Sequence, residues 1–297
     1  MDYTKQHYIP QFLLKNFVDS DGRLSVYLIK ENGFLSNQLP RNVAHMKNMY
    51  DLSKEDLEKA LVFFKDLSSG SENKIVYSDV KFIEKYFSRV ESSVNEIFDR
   101  ILKTDLPFLT NDEKLIILIF LHDFAFRTKF YRDFRSTTYD KINNLLDSYK
   151  DNGLKVRDEL VNSYQKNDNS VELASIFDVS SLVDFANTVL ANYDFHYAVN
   201  EQCISFILSD NPTLNLHTGI KDFCFPISSK RAILLIKKNV NTTFIIRKQY
   251  KQLIQNLSYK DVHGYNLINA ASSHEQIYGD KRTLKIISHC AIFSELE

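Results

Sequence analysis

Gln6-His7-Tyr8-Ile9-Pro10-Gln11-Phe12-Leu13-Leu14-Lys15-Asn16-Phe17 sets a titratable imidazole, amides and a proline into an otherwise apolar segment. Pro10 locks its own φ and pushes Ile9 into extended backbone, so Gln6 to Ile9 cannot be the first turn of a helix. From Gln11 onward, Phe12, Leu13, Leu14 and Phe17 have the spacing of a short buried helix with Pro10 at or near its first position. The chain therefore opens as a stiff strap running into a core anchor, and His7 rides on the strap. Two roles are open to that histidine. Its ring nitrogens can be satisfied by backbone groups in the interior, or, with an ordinary pKa near neutrality, it can serve as a general acid or base.

Around the strap lie 297 residues, enough for one large domain or two small ones, burying about 75% of the unfolded surface. Hydrophobic residues at 44% and charged residues at 25% are those of an ordinary soluble protein, and a net charge of −1 excludes a dominant attraction to polyanions. Contact with nucleic acid would need a local patch. No apolar leader opens the chain, and the longest apolar run, Leu115 to Leu121, is too short to cross a bilayer. A cytoplasmic protein with no membrane partner is expected. Cys203, Cys224 and Cys290 lack metal-finger spacing and read as reduced thiols. A phosphate loop, a dinucleotide fingerprint, a nucleophile elbow and a zincin motif are all missing.

Downstream of the strap, Leu24, Val26 and Leu28 alternate with polar or amphipathic neighbours before Asn32-Gly33, which predicts a β-hairpin running into Phe34 and Leu35. Arg41 to Tyr50 reads as a connector, with His45 at the solvent side or capping a helix. Helices are predicted from about Glu55 to Leu190. Ile83, Phe87, Val90, Val94, Ile97 and Ile101, preceded by Val80, form one apolar seam, and Glu84 and Glu91 share a face beside it. Thr110 and Glu113 spell a capping box ahead of the most apolar helix. Beyond it, Asp123 to Arg135 interleaves aromatic and basic residues, a pattern suited to phosphates or stacked bases. The plainer alternative is an i, i+4 pair between Asp123 and Arg127 with the other bases solvated. Asp151 to Ser170 is polar and reads as an insertion.

From Tyr193 the pattern turns to strands. Tyr193 to Val199 and Cys203 to Leu208 suggest a second hairpin, and Phe223 to Ile227, Ala232 to Ile236 and Thr243 to Ile246 suggest further strands of one sheet. A terminal helix is predicted over about Ser258 to Ile277, with Asn266 and Asn269 on one side. The expected fold class is α+β: a central helical region packed with a mostly antiparallel sheet, an N-terminal strap and a hairpin. It is read as one domain over 1–297, with subregions 1–54, 55–192 and 193–297.

Gln6-His7-Tyr8-x-Pro10-x-Phe12-Leu13-x-x-Phe17 resembles the opening signature of the domain-of-unknown-function 4238 family, a widespread and largely bacterial group. The resemblance continues through Arg41 to Tyr50, Ile83 to Leu102, Ile117 to Phe134 with its Arg127-Thr128 pair, Ile207 to Pro212 and Phe225 to Ser228. Many members carry a tryptophan ahead of the Ser209-Asp210-Asn211-Pro212 motif, and here Tyr193 or Phe195 takes that place. The resemblance implies no particular activity. It does single out the two motifs, and an aspartate at the end of an apolar strand is presented on a rigid rim. The same Asp-Asn-Pro is also ordinary turn chemistry.

The expectation drawn from these residues is a hydrolase, nuclease-like, acting on a phosphodiester or nucleotide in bacterial defence or toxicity. His7 is then acid or base, Asp210 orients it or holds a divalent metal, and Arg127 stabilises anionic charge. Glu91 is a further catalytic or metal-binding carboxylate, while Gln6, Gln11, Asn211 and Asn266 position the substrate. Arg282 and His289 have the separation found in some RNases of the higher-eukaryote/prokaryote nucleotide-binding type, in a run that fits a strand. The rival is a non-catalytic binding or regulatory module in which His7 and Asp210 form a structural polar core.

Overall fold

The computed structural model describes residues 5–51, 82–104, 108–152, 178–211, 222–238 and 254–290. Pro10 behaves as its chemistry requires. It is the N-cap of α1 (Gln11–Lys15), with ψ 135, and ahead of it β1 (Lys5–His7) is extended. Leu13 and Leu14 are fully buried. Phe12 brings its ring to 6.1 Å from Phe98 and 6.0 Å from Phe120, so the strap ends in the aromatic centre of the core.

The predicted hairpin is β2 (Leu24–Leu28) paired antiparallel with β3 (Gly33–Gln38), Tyr27 opposite Phe34. Asn32 turns it in the left-handed region at φ 45, where its side chain accepts from the Tyr27 hydroxyl at 2.9 Å. The segment from Arg41 to Tyr50 is more than a connector. A 3₁₀ turn over Pro40–Asn42 leads into β4 (His45–Lys47), which pairs with β1 and sets His45 opposite His7.

The apolar seam becomes α2 (Phe82–Lys103), in which Ile83, Phe87, Val94, Ile97 and Ile101 are buried. Val80, the greater part of the polar insertion (153–170) and the strand expected over Thr243 to Ile246 lie outside the described residues. The capping box at Thr110 and Glu113 starts α3 (Asn111–Phe126), whose Ile117, Leu118, Phe120, Leu121 and Phe124 are buried. Helices α4 (Lys129–Asp151) and α5 (Val179–Asn192) come next.

Beside the β1-β4 pair there are two four-stranded sheets among the described residues. One has the order β3-β2-β10-β6, with β6 (Leu208–Ser209) and β10 (Gln276–Gly279); the other runs β7-β8-β5-β9, with β5 (Tyr193–Val199), β7 (Asp222–Pro226), β8 (Arg231–Lys237) and β9 (Ile254–Asn256). Neighbours in both are antiparallel except β5 and β9. The expected second hairpin is thus overturned: Tyr193 to Val199 pairs with β8 and β9, and β6 crosses to the other sheet.

Residues Ser205 to Ile207 are not strand, because a side chain takes the place of a neighbouring strand. Asn266 on α6 (Tyr259–Ala271) accepts from the Ile207 amide at 3.1 Å and donates to the Ser205 carbonyl at 2.8 Å. The terminal helix also ends earlier than predicted, at Ala271, leaving a turn before β10. Lys281–Ser288 is a helix, α7, capped by Asp280, and not a strand. Asn266→Ala leaves a buried amide and carbonyl unpaired, so urea denaturation should show a loss of about 2–4 kcal/mol. An unchanged midpoint would mean that this segment is held by something else.

Candidate functional site

The residues singled out by the two motifs separate into two polar networks. In the first, Gln6 is fully buried and both ends of its amide are used: Nε2 donates to Asp51 at 2.5 Å and Oε1 accepts from the Tyr50 amide at 2.6 Å. It therefore braces the strap instead of facing a substrate. Arg127, expected to stabilise substrate charge, is 3% exposed at the C-cap of α3. Its guanidinium donates to Glu91 at 2.6 Å and to the His7 carbonyl at 2.5 Å, and lies 4.3 Å from the centre of the Phe87 ring. Burial works against that charge, but Glu91 and Tyr50 together outweigh it and raise the Arg127 pKa. The expected Asp123 to Arg127 pair gives way to this arrangement, and Asp123 accepts instead from the Tyr86 hydroxyl at 2.8 Å.

His7 sits over this hub. Its Nδ1 lies 3.4 Å from Gln11 Nε2, its Nε2 has no hydrogen-bond partner among the described residues, and its ring meets the half-buried His45 ring edge-on at 5.3 Å. His45 is thus a neighbour of His7 and not a solvent-side or capping residue. Burial, then the positive neighbours His45, Arg127 and Lys5, lowers the His7 pKa to about 4, against a raising contribution from the Arg41 backbone. At physiological pH the ring is therefore neutral, with one N–H and one acceptor nitrogen, and is not the imidazolium that a general acid needs.

The second network is centred on Asp210, which is 2% exposed. Its carboxylate accepts from three consecutive amides, His274 at 2.7 Å, Glu275 at 2.8 Å and Gln276 at 2.9 Å, and its own amide donates to the Gln276 carbonyl at 3.1 Å. Burial pushes its carboxyl upward against the pull of those amides. Asn211 donates to the Ser272 carbonyl at 3.0 Å, closing the turn from the other side. Neither Asp210 nor Asn211 touches His7. The two networks meet through phenols: Tyr8 and Tyr278 have their hydroxyls 3.5 Å apart. Burial raises the Tyr8 pKa to about 12 and that of Tyr278 well above its ordinary value, so both keep their protons.

What Asp210 holds in place is not marked by any sequence motif. The turn it clamps carries His274 and Glu275, and these converge with Asp133 of α4 so that one ligand atom from each lies within 4.8 Å of the others. His274 Nε2 is 3.0 Å from Asp133 Oδ2. Glu275 is 2.5 Å from Lys129 and 3.3 Å from Lys30; burial would raise its carboxyl, but the two lysines win and lower it. Beside this set, Phe130 and Phe134 stack at 6.1 Å while remaining 39% and 58% exposed, and Phe130 meets the His274 ring at 5.6 Å. Arg282 and His289 lie on exposed positions of α7 and its C-cap, with His289 spent on the Lys285 carbonyl. The faint signal for the set is Asp133, the one acid among the bases from Lys129 to Arg135, together with the small residues Ala270 to Ser273 that end the helix before His274.

A family model described as Protein of unknown function (DUF4238) matches residues 5–283. The chain belongs to this family. Comparison with curated proteins and with solved structures finds no match. In this DUF4238 chain, no helix among the described residues is long and apolar enough to cross a membrane.

His7 supplies a titration test. Its folded pKa of about 4 lies below the ordinary 6.5, so between those values the unfolded chain holds more protons. The contribution of neutral His7 to stability is full above about pH 6.5 and is lost as pH falls toward 4. In urea titrations, the stability advantage of wild type over His7→Gln should shrink by roughly 1–3 kcal/mol between pH 7 and pH 4. An advantage independent of pH would contradict the assignment of a buried neutral ring.

Proposed function

We propose that this protein is a hydrolase of phosphodiesters in nucleotides or single-stranded nucleic acid, working at the Asp133, His274 and Glu275 set with a divalent cation. The convergence of a histidine and two carboxylates from distant parts of the chain beside an exposed aromatic pair carries the reading. A mixed imidazole and carboxylate set suits Mn²⁺ or Zn²⁺ more than Ca²⁺. Once bound, such an ion supplies Lewis acidity and a water of lowered pKa.

The chain's own residues account for the rest. Lys129, paired with Glu275, would turn to a phosphate oxygen, and the rings of Phe130 and Phe134 would offer faces for bases, an interaction worth about 1–3 kcal/mol per base. Water adds to phosphorus, one P–O ester bond breaks, and the departing oxygen takes the proton that the water gives up. Asp210, Asn211, Gln6, Glu91, Arg127 and Asn266 then act as positioning residues, with Gln11 serving the same end beside His7. A role in bacterial defence or toxicity would follow from nucleic-acid breakdown and depends on it.

A second reading, a non-catalytic binding or regulatory module, is favoured by one observation. The two lysines on Glu275 and the contact between His274 and Asp133 already balance the cluster's charge without a cation. The two are separated by incubating purified protein with short single-stranded RNA and DNA, with Mn²⁺ or with chelator. Hydrolysis that requires Mn²⁺ and falls about 10²–10⁴-fold in folded His274→Ala and Asp133→Ala is expected. Phe134→Ala should raise KM and leave kcat nearly unchanged. No hydrolysis under any condition, or activity that survives both substitutions, would hand the case to the binding module.

A further inference from the structure

The groove between α3 and α5 holds an open pocket of about 580 Å³, within the range of about 300–1,000 Å³ usual for small-molecule sites. His122 of α3 forms part of its wall and is 4% exposed. Its Nδ1 lies 3.5 Å from Asp123 Oδ1, and Nε2 has no hydrogen-bond partner among the described residues. The neutral tautomer with its proton on Nδ1, facing the carboxylate, presents Nε2 as a buried acceptor.

Such an atom is costly to leave unpaired. The Phe126 and Phe185 rings pack against the imidazole, with centroids 4.8 and 5.8 Å from its own. His122 and both phenylalanines line the cavity, so a flat molecule that parts the two rings meets the imidazole. At the exposed positions of the lining, Asp184 and Lys237 carry opposite charges and favour neither sign of ligand.

We propose that this cavity binds a small, neutral, planar heteroaromatic molecule whose ring N–H donates to His122 Nε2. The site is separate from the Asp133 set and does not depend on its chemistry.

Indole and benzofuran test it directly, since they share a shape and differ in the N–H. Saturation-transfer NMR on the full chain should show indole binding at least about 10-fold more tightly than benzofuran, with contacts to Phe126 and Phe185. His122→Phe should abolish the preference. Thr188→Trp, placed on the exposed face of α5, should fill the groove and remove binding of both probes without depending on a core substitution. Equal affinity for the two probes, no binding of either, or a preference that survives in either variant would overturn the proposal.

Discussion

A carboxylate withdrawn from water must find donors or give up its charge, and Asp210 finds three in a row. By accepting from the amides of residues 274 to 276, it fixes the turn between α6 and β10 and starts the strand that joins β2 to β6. The bond from its own amide back to Gln276 makes the arrangement reciprocal. His274 and Glu275 therefore leave the turn from a backbone with little freedom, and it is that restriction which lets their side chains meet Asp133 on a helix 141 residues away in sequence. The polar residues around Asp210 serve geometry; those it displays are available for chemistry.

The strap at the other end of the chain is secured by similar means. Arg127 is buried with one carboxylate, one strap carbonyl and an aromatic face, while the Tyr50 hydroxyl donates to its carbonyl at 2.9 Å. Two guanidinium nitrogens are matched, by Glu91 and the His7 carbonyl, while Nε has no hydrogen-bond partner among the described residues, and losing one of the two partners costs far more than the pair contributes. The α3 to α4 junction is thus tied to the strap, and α4, which carries Lys129, Phe130 and Asp133, starts from a fixed point. Tyr8 and Tyr278 complete the connection between the strap and the β3-β2-β10-β6 sheet.

How much of this is legible in the sequence depends on how local each determinant is. Pro10, the Asn32-Gly33 turn, the Thr110 capping box and the α2 seam act within a few residues, and each predicts the element that forms. Pairing between distant segments leaves no such mark: β4 is hidden in a connector, and Ser205 to Ile207 looks like strand but bonds to the side chain of Asn266. The Asp123 and Arg127 spacing is right for a helix pair, yet Tyr86 and Glu91 offer better partners. At the site, the motifs mark residues of consequence but not their roles, since Gln6, Arg127 and Asp210 are all turned inward. Asp133, His274 and Glu275 escape notice because one is a lone acid among bases and the other two lie where the helical pattern runs on past the true end of the helix.

The claim that Asp210 acts by shaping the His274 and Glu275 turn is tested most directly by Mn²⁺ titration calorimetry of wild type and Asp210→Asn, with near-UV circular dichroism confirming that both are folded. An amide in place of the carboxylate sets N–H against N–H in the turn, and the account predicts affinity weaker by roughly 10–100-fold, as for other residues that orient ligands. Equal Mn²⁺ affinity in the two folded proteins would contradict it.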